Sequence, residues 1–527
     1  MNLASLIIRV HPCSSVVETV WRIHPGPSSG AYFTGTAIDE PAVMTTSRPT
    51  ELGPRLTAML GHEPTAGQHR AIHALDRLLA SEKEGATLVL KGYAGTGKTT
   101  LVGALVKVLA RERRPVVLLA PTGRAAKVLS SYAQAPASTI HRRIYRVSLE
   151  GDDSGYAGMS LAPNKDENAL FVVDEASMIG QGGGGGAFGD RDLLRDLFDH
   201  VFAARGCKLL LIGDPAQLPP VGSDHSPALE VKELRAQGLN AGMVELTDVV
   251  RQAEASGILV NATALRDLLD TVPPETPKEE QRLQPVFIQG FPDVERIDGH
   301  DLQDALETAY ARYGNDEVCL ITRSNKRAYQ YSQQVRARIH GFEEELCGND
   351  RLMVVKNNYF WAGKNGTPEL IANGEPIEVK RVHGIEERYG LRFADITAGW
   401  WNGNEYRELD TKVMMDTLAV EAPALPGPRM RLLQQAVMAG MTARNKGQLY
   451  RMLKEDPYAN ALQVKYAYAV TAHKAQGGQW QAVFVDQGYV TEEMLDREYV
   501  RWLYTAITRA SGKLYLLNFV PRFWGEE

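Results

Sequence analysis

Eight consecutive residues in the first fifth of the chain have the types and spacing needed to hold a chain of phosphates. Residues 92–99 read Gly-Tyr-Ala-Gly-Thr-Gly-Lys-Thr, which matches G-x-x-x-x-G-K-[ST], and they lie between a predicted strand (86–90) and a predicted helix (99–109). Glycines there let backbone N–H groups close around phosphates at a helix N-terminus, while the lysine reaches the β- and γ-phosphates and the threonine hydroxyl binds Mg²⁺. The pattern predicts a nucleoside triphosphate site formed by Gly92, Ala94, Gly95, Thr96, Gly97, Lys98, Thr99 and Thr100, with Thr99 as a metal ligand.

Two acids and an amide follow later predicted strands and could complete the chemistry of phosphate hydrolysis. Asp174 and Glu175 end an apolar run, which suits Asp174 for holding Mg²⁺ and Glu175 for activating water. Gln217 lies in Gly-Asp-Pro-Ala-Gln-Leu-Pro-Pro-Val-Gly (213–222), where an amide could sense the γ-phosphate and the attacking water. An acid pair can also cap a helix, and the second segment can be a proline-rich turn. Their order after the phosphate loop favours the catalytic interpretation.

Two arginines, Arg251 and Arg509, are candidates for stabilising the charge that develops on a transferred phosphoryl group. A guanidinium keeps its proton at physiological pH and can pair with phosphate oxygens through several N–H groups. Taken alone, each arginine is more typical of an exposed surface position, so the residue type by itself does not decide its role.

The strands that must position these residues are apolar on both faces and alternate with helices. In the first half they are predicted at residues 86–90, 115–120, 169–173 and 208–212, and in the second half at 317–322, 482–486 and 513–517. Such strands indicate parallel sheets that are covered on both sides. Between the parts of the second set, residues 373–406 alternate in polarity and contain Asn-Gly turns, which predicts a small β insertion.

Composition and charge limit the class of protein. The 527 residues are 44% hydrophobic and 23% charged, and the four cysteines are too far apart for a metal site, which indicates a reduced, cytoplasmic protein. No apolar run approaches the roughly 20 residues of a membrane span, so no membrane partner is expected. The net charge of −6 excludes a globally basic nucleic-acid binder, but Asp and Glu are absent from residues 115–149, 319–342, 422–454 and 457–485. Such windows favour a local channel for a phosphate backbone.

Six ordered segments resemble the motifs of superfamily 1 helicases, in the RecD/Dda-like branch. They are 65–68 (TAGQ), 120–127 (APTGRAAK), 138–142 (STIHR), 213–221 (GDPAQLPPV), 470–477 (VTAHKAQG) and 504–510 (YTAITRA). The resemblance implies two RecA-like motor domains with ATP and Mg²⁺ between them, Gln68 and Gly477 at the nucleotide, and Lys98, Glu175, Gln217, Arg251 and Arg509 in catalysis. It also implies DNA contacts by Pro121, Thr122 and His141 in the first motor domain and by Thr322, Asn325, Thr471, His473 and Lys474 in the second.

The resemblance and the element pattern together predict an α/β fold with two motor domains, each carrying a β insertion. Residues 1–59 are expected to be a partly disordered extension, with Met44 as an alternative start. The first motor domain spans 60–270 and carries a β-hairpin insertion at 143–168. The second spans 271–379 and 461–527 and carries an SH3-like insertion at 380–460. Five glycines at 182–186 have no functional explanation.

The expected activity is that of a monomeric, ATP-dependent DNA helicase that moves 5′→3′ on single-stranded DNA, engages forks and unwinds duplexes. Its direction follows from the resemblance alone. Three alternatives stay open: a translocase that strips proteins from single strands without unwinding, a DNA-binding subunit of a RecD-like complex, and a motor on RNA. Lys98, Asp174, Glu175 and Arg509 are all present, which disfavours the noncatalytic subunit. DNA repair or recombination, with accessory repair or replication proteins, is the expected context.

Overall fold

A six-stranded parallel sheet surrounds the phosphate loop. The computed structural model describes residues 52–147, 159–182, 191–249, 256–273, 276–361, 370–402 and 405–526. The first part of the chain forms α1 (Leu52–Leu60), α2 (Ala66–Ala80), β1 (Ala86–Gly92), α3 (Lys98–Arg111), β2 (Val116–Ala120), α4 (Gly123–Ala133), β3 (Ala137–Thr139), α5 (Ile140–Ile144), β4 (Tyr145–Val147), β5 (Met159–Leu161), β6 (Leu170–Val173), α6 (Leu193–Phe202), β7 (Lys208–Gly213), α7 (Val231–Ala236), β8 (Asn240–Leu246) and α8 (Gly257–Asp270). The sheet has the order β3-β2-β6-β7-β1-β8, so the strands that precede the phosphate loop, the acid pair and the Gln217 segment are neighbours at its centre.

Helix α1 changes the expected boundary of this domain. Leu52, Leu56 and Leu60 are spaced by four residues and therefore share one helix face, which is buried in the same core as Leu101 of α3. Residues 52–59 thus belong to the first motor domain and not to the predicted extension, because three leucines interrupted by Gly-Pro gave too weak a helical pattern. The rest of the predicted extension, including Met44, lies outside the described residues.

Strands β4 and β5 form an antiparallel pair inside the range 143–168 predicted for the hairpin. Tyr145 lies opposite Leu161, and an ion pair between Arg143 and Asp166 joins the two ends of this segment. The Tyr145 hydroxyl donates to Asp196 Oδ2 of α6 at 2.8 Å, which fixes the base of the hairpin to the domain. The residues that connect β4 to β5, and most of the glycine run at 182–186, lie outside the described residues.

A second parallel sheet forms the other motor domain. The second part of the chain forms β9 (Val294–Ile297), α9 (Leu302–Tyr313), β10 (Val318–Thr322), α10 (Asn325–Arg338), β11 (Arg351–Val354), β12 (Pro376–Arg388), β13 (Leu391–Asn402), β14 (Glu405–Met414), α11 (Asp416–Ala419), α12 (Gly427–Ala439), α13 (Lys446–Lys454), β15 (Leu462–Tyr466), β16 (Ala469–Thr471), α14 (Ala472–Ala475), β17 (Trp480–Asp486), α15 (Arg497–Ile507) and β18 (Ala510–Leu517). The sheet has the order β16-β10-β17-β18-β9 with every pair parallel.

The packing of helix α8 places the boundary between the two motor domains earlier in the chain than predicted. The sequence placed residues up to 270 in the first domain, but Ile258, Ala262 and Leu265 of α8 are buried in one core with Tyr499 and Leu503 of α15. The helix therefore belongs to the second domain by packing. Its own periodicity indicated an apolar face but could not show which sheet covers that face.

The insertion in the second motor domain is a closed five-stranded barrel, β11-β12-β13-β14-β15. Two of its strands, β11 and β15, lie outside the predicted range 380–460, because they pair with each other across more than 100 residues of sequence. Helices α12 and α13 stand between β14 and β15 and rest on the barrel through a small core that includes Leu433, Val437 and Phe393. The two parallel sheets and the barrel confirm the predicted fold class. Among the described helices, none has the length and hydropathy to cross a membrane.

Candidate active site

The phosphate loop turns between β1 and α3 with its lysine folded against it. Gly95 and Gly97 have φ values of 76° and 82°, in the left-handed region that favours glycine. A Cβ atom on Gly92 would lie 2.9 Å from Lys98 Cγ, so the close approach of this lysine to the loop also requires glycine. Lys98 Nζ donates to the carbonyl oxygens of Gly92 and Tyr93 at 2.5 and 2.8 Å. Thr99 and Thr100 follow in the first turn of α3.

The acid pair stands at the end of β6, two strands away from β1. Asp174 accepts hydrogen bonds from the Tyr132 hydroxyl and, at 2.9 Å, from the backbone N–H of Glu175. Glu175 has a left-handed backbone with φ 52°, which turns its side chain away from the strand direction. Burial raises the pKa of the Glu175 carboxyl, whereas the positive charge of Arg509 acts in the opposite direction. Glu175 is thus a partly buried carboxylate whose proton affinity depends on a residue of the other domain.

Arg509 brings the second motor domain to the acid pair. Its guanidinium is almost completely buried, and its Nη1 lies 3.6 Å from Glu175 Oε1. Nε donates to the Thr505 carbonyl at 3.1 Å, which holds the side chain in position from one turn earlier. The structure therefore brings Lys98, Glu175 and Arg509 close together, with Arg509 contributed by the second domain. Arg251 lies outside the described residues.

Asp214 and Tyr504 form a second bridge between the domains that the sequence analysis missed. The Tyr504 hydroxyl donates to Asp214 Oδ2 at 2.7 Å and accepts from the Ala94 N–H of the phosphate loop at 2.9 Å. Asp214 Oδ2 also lies 3.9 Å from Lys98 Nζ. Burial, together with the charge of Asp214, raises the pKa of Tyr504, so the hydroxyl keeps its proton and can donate it. The available signal was the position of Tyr504 as the first residue of the 504–510 motif.

The Gln217 segment is also held by the second domain. The Leu218 N–H donates to Thr505 Oγ1 at 2.9 Å, and Gln476 Nε2 donates to the Leu218 carbonyl at 2.7 Å. Gln217 itself is buried, and its Oε1 accepts no hydrogen bond from the described residues. An amide oxygen without a partner in this position fits a residue that accepts a hydrogen bond from a water molecule and so orients it.

Gln68 and Gly477 were both predicted to bind the nucleotide, and their described contacts are with other groups of the protein. Gln68 is buried in the first turn of α2, where its Oε1 accepts from the Thr65 N–H at 3.0 Å and forms a capping box, while its Nε2 has no hydrogen-bond partner among the described residues. Gly477 has φ 71°, and a Cβ there would lie 2.5 Å from the Ala125 Cβ and 3.5 Å from Thr122 Oγ1. Gly477, predicted to bind nucleotide, therefore packs against α4.

The residues predicted to contact DNA in the first domain lie at adjacent strand ends. Ala120 at the end of β2 pairs with Thr139 at the end of β3, so Pro121 and Thr122 leave the sheet next to helix α5, which carries His141. Thr122 also caps α4, since its Oγ1 accepts from the Ala125 N–H at 3.2 Å. Burial lowers the pKa of His141 to about 4, so this imidazole is neutral at physiological pH.

The residues predicted to contact DNA in the second domain likewise lie at or just after the ends of adjacent strands. Thr322 at the end of β10 is the register partner of Thr471 at the end of β16. Lys474 Nζ donates to Asn325 Oδ1 at 3.3 Å, and burial, with a smaller effect from nearby Lys465, lowers the pKa of Lys474 to about 8. His473 follows Thr471 in the short helix α14, and burial lowers the pKa of its imidazole.

The donor set fits a magnesium nucleotide. Asp174 offers carboxylate oxygens and Thr99 a hydroxyl, which are the hard oxygen ligands that Mg²⁺ prefers. The loop N–H groups and Lys98 offer donors for phosphate oxygens at the N-terminus of α3. Gln217 adds the buried, unpaired acceptor described above. The residues present therefore suit a nucleoside triphosphate with a divalent cation.

Comparisons with known proteins agree with this arrangement. A family model described as an AAA domain matches residues 64–268, and one described as a UvrD-like helicase C-terminal domain matches residues 466–517. The ATP-dependent RecD2 DNA helicase of Deinococcus radiodurans is 33% identical over 181 residues, which are 34% of this chain and 21% of that protein. The ATP-dependent DNA helicase dda of Enterobacteria phage T4 is 28% identical over 158 residues, which are 30% of this chain and 33% of that protein.

A solved structure of the Pif1 helicase from Bacteroides, in complex with ADP-AlF3 and single-stranded DNA, aligns with 88% of this chain and 94% of its own, at 14% identity and a TM-score of 0.40. The chain spans only about a fifth to a third of the RecD2 and Dda proteins. The two family models fall on the two sheets that meet at the Glu175–Arg509 contact. With the RecD2 and Dda matches, they support the assignment of this chain to the superfamily 1 helicases, among the RecD-like and Dda-like proteins.

Proposed function

We propose that this protein is an ATP-dependent DNA helicase that moves 5′→3′ on single-stranded DNA and separates the strands of a duplex. The observation that carries the proposal is the contact of the second domain with the phosphate loop and the acid pair of the first, which supports one nucleotide site built by both. Arg509 lies 3.6 Å from Glu175, and Tyr504 bonds to the phosphate loop. ATP at this site would contact both domains, so its binding and hydrolysis can favour different relative positions of the two.

The first motor domain would hold the nucleotide. Lys98 and the N–H groups of the loop bind the β- and γ-phosphates, for which the glycine backbone leaves room. Thr99 and Asp174 would hold Mg²⁺, which neutralises charge on the phosphates when bound. The Tyr132 hydroxyl donates to Asp174 and so fixes the orientation of this carboxylate.

Hydrolysis would require groups from both domains. Glu175 accepts a proton from the attacking water, and its raised pKa makes it a stronger base than an exposed carboxylate. Gln217 orients the same water through its buried amide. Arg509 stabilises the negative charge that develops on the transferred phosphoryl group, so hydrolysis depends on the second domain being in place.

Movement along DNA would follow from the two strand-contacting groups. Pro121, Thr122 and His141 lie on the first domain, and Thr471 and Lys474 on the second, so a change in the angle between the domains changes the distance between the two groups. The preferred partners are single-stranded DNA and forks, bound by a monomer. The direction is proposed from the resemblance to the RecD/Dda-like branch.

Unwinding of three partial duplexes tests the proposal. One substrate has a 5′ single-stranded overhang, one a 3′ overhang, and one an RNA overhang on the 5′ side, each with ATP and Mg²⁺. We expect strand separation with the 5′ DNA overhang only, and none in the Lys98→Ala variant, which loses the phosphate-binding ammonium.

Three outcomes would contradict parts of the proposal. DNA-stimulated hydrolysis without strand separation would show a translocase. Unwinding from the 3′ overhang would overturn the direction, and equal activity on the RNA overhang would overturn the choice of DNA. Unchanged hydrolysis in the Lys98→Ala variant would overturn the site itself.

A further inference from the structure

The two helices that stand between β14 and β15 carry an unusual charge. We call residues 422–454, which include α12 and α13, the helical arm. It contains no Asp or Glu and six cations, in a chain whose net charge is −6. The cations are Arg429, Arg431, Arg444, Lys446, Arg451 and Lys454.

Packing directs the apolar side of the arm to the barrel and leaves the cations outside. Leu433 and Val437 of α12 are buried against Phe393 and Met414 of the barrel. No side chain of α13 is fully buried, and Leu453 is only partly covered. The arm is thus a surface element that is fixed on one side and mostly polar on the other, where Leu432 is also exposed.

Most of these cations have no internal counterpart. Arg429 pairs with Asp416 at 3.0 Å. Arg431, Arg444, Lys446 and Arg451 are exposed, and within the part of the chain that the structure describes none of the four forms an ion pair. Like charges repel each other on neighbouring turns, so a group of this kind is stabilised by an external polyanion.

The body of the arm is separated from the strand contacts predicted in the first motor domain, whereas its base follows Glu421, which pairs with Lys326 next to the predicted contact Asn325. Phe393, near the start of β13, packs against the arm, whereas Trp401, near its end, lies beside Lys127 of α4, with 5.5 Å between Lys127 Nζ and the indole ring. Eight residues of strand span roughly 25 Å. Thr122, a predicted strand contact, is the N-cap of helix α4, so the arm lies about that far from it along the barrel.

The composition of the arm favours duplex DNA over a second stretch of single strand. Proteins that bind single strands without sequence preference stack bases on aromatic rings, but Tyr450 is the only aromatic residue in the arm. Duplex DNA instead presents a negative charge about every 1.7 Å of its axis, and exposed Arg and Lys contact it without reading sequence.

We propose that the helical arm is a duplex-binding surface, which contacts the sugar-phosphate backbone of DNA next to the fork. This inference rests on the proposed helicase function, since it places the duplex relative to the strand that the motor domains hold. The arm would keep the duplex close to the barrel while the motor domains move on the single strand.

The test compares two triple variants that remove the same charge. The arm variant is Arg431→Gln, Arg444→Gln and Lys446→Gln. The control is Lys83→Gln, Arg205→Gln and Lys232→Gln, three exposed cations on the first motor domain. Glutamine is a good helix former, so both variants are expected to fold, which circular dichroism and thermal unfolding would verify.

Binding is measured without ATP, by fluorescence anisotropy, on a blunt 20-base-pair duplex and on a single-stranded thymidine oligomer of equal length. In the arm variant we expect duplex affinity to fall at least tenfold at 0.1 M salt, and the slope of log affinity against log salt to fall by about 2 to 3, as for the loss of three phosphate contacts. Affinity for the single strand and DNA-stimulated hydrolysis should change less than twofold, as should all values in the control.

The proposal is overturned by an equal loss on both DNAs, which would place the arm on the path of the single strand, or by unchanged duplex binding, which would show a merely solvated surface. If the arm variant fails to fold, Arg451→Gln alone is measured on the same two DNAs, with a smaller expected loss on the duplex. Absence of DNA-stimulated hydrolysis in the unmodified protein would overturn the helicase proposal but not the duplex measurement, so the two failures are distinguishable.

Discussion

In a Tyr504→Phe variant the aromatic ring keeps its buried place in α15, and only the hydroxyl that joins the two motor domains is lost. This hydroxyl donates to Asp214 Oδ2 at 2.7 Å and accepts from the Ala94 N–H at 2.9 Å. Tyr504 is 1% and Asp214 2% exposed, so bulk water cannot replace the missing oxygen without a rearrangement of the cleft.

The size of the effect follows from the two bonds. A hydrogen bond to a charged acceptor contributes about 1.5–3 kcal/mol and a neutral one about 0.5–1.5 kcal/mol, so the loss is about 2–4.5 kcal/mol. Since both partners belong to the first motor domain, the loss acts on the joined arrangement of the domains and not on the fold of either. It corresponds to roughly a 30-fold to 2,000-fold shift in the equilibrium between joined and separated domains.

The assay is DNA-stimulated ATP hydrolysis, with kcat and KM determined separately, and we expect kcat/KM to fall at least tenfold. The matched control is Tyr499→Phe in the same helix. Tyr499 is equally buried, but its hydroxyl has no hydrogen-bond partner among the described residues, so its removal should leave hydrolysis unchanged. Equal kcat/KM values in the two variants would refute the role assigned to the Tyr504 hydroxyl.

Three further predictions use other contacts. Arg509→Lys keeps the charge but loses the guanidinium fork, so kcat should fall by about 10³ while fluorescent-nucleotide binding is retained; a kcat above a tenth of the original value would contradict the assignment. Burial raises the pKa of Glu375 from 4.5 to about 7. Between these pH values the folded chain holds a proton that the unfolded chain releases. The free energy of unfolding therefore falls by about 3 kcal/mol in total as pH rises through this range. Glu375→Gln keeps an acceptor for Trp400 Nε1 and should raise the urea midpoint at pH 8 but not at pH 4.5. Because burial lowers the pKa of Lys474 to about 8, its charge is lost as pH rises, and affinity for single-stranded DNA should weaken between pH 7 and 9.5; an equally steep loss in Lys474→Arg would exclude this lysine as the cause.

Local geometry was predictable from the sequence wherever one segment determines it. The phosphate loop requires glycine at left-handed positions followed by a helix, and Gly95, Gly97 and Lys98 are found in that arrangement. The apolar strands before Asp174 and Gln217 likewise fixed the edge of the sheet to which both residues belong, because parallel strands end together.

What the sequence could not show are contacts between segments that are far apart along the chain. Tyr504 meets Asp214 across 290 residues, and no local pattern marks a hydroxyl as the partner of a distant carboxylate. The barrel boundaries were wrong for a similar reason, since β11 contributes a strand about 20 residues before β12 and closes against β15. Helix α8 has an apolar face that would suit either sheet, and only tertiary packing assigned it to the second.

One short helix joins the two halves of the proposed motor. His473 and Lys474, proposed to hold the strand, stand on α14, and Gln476 directly after it donates to the Leu218 carbonyl, next to Gln217. Both alanines of α14 are completely buried, so the helix has no free space in which to absorb a displacement of the loop at residues 213–222. A shift of this loop on hydrolysis would therefore move α14 as a unit. One residue, Ala475, separates Lys474 from Gln476, so in the proposed motor a small change at the γ-phosphate would alter the hold on DNA without a long chain of intermediate contacts.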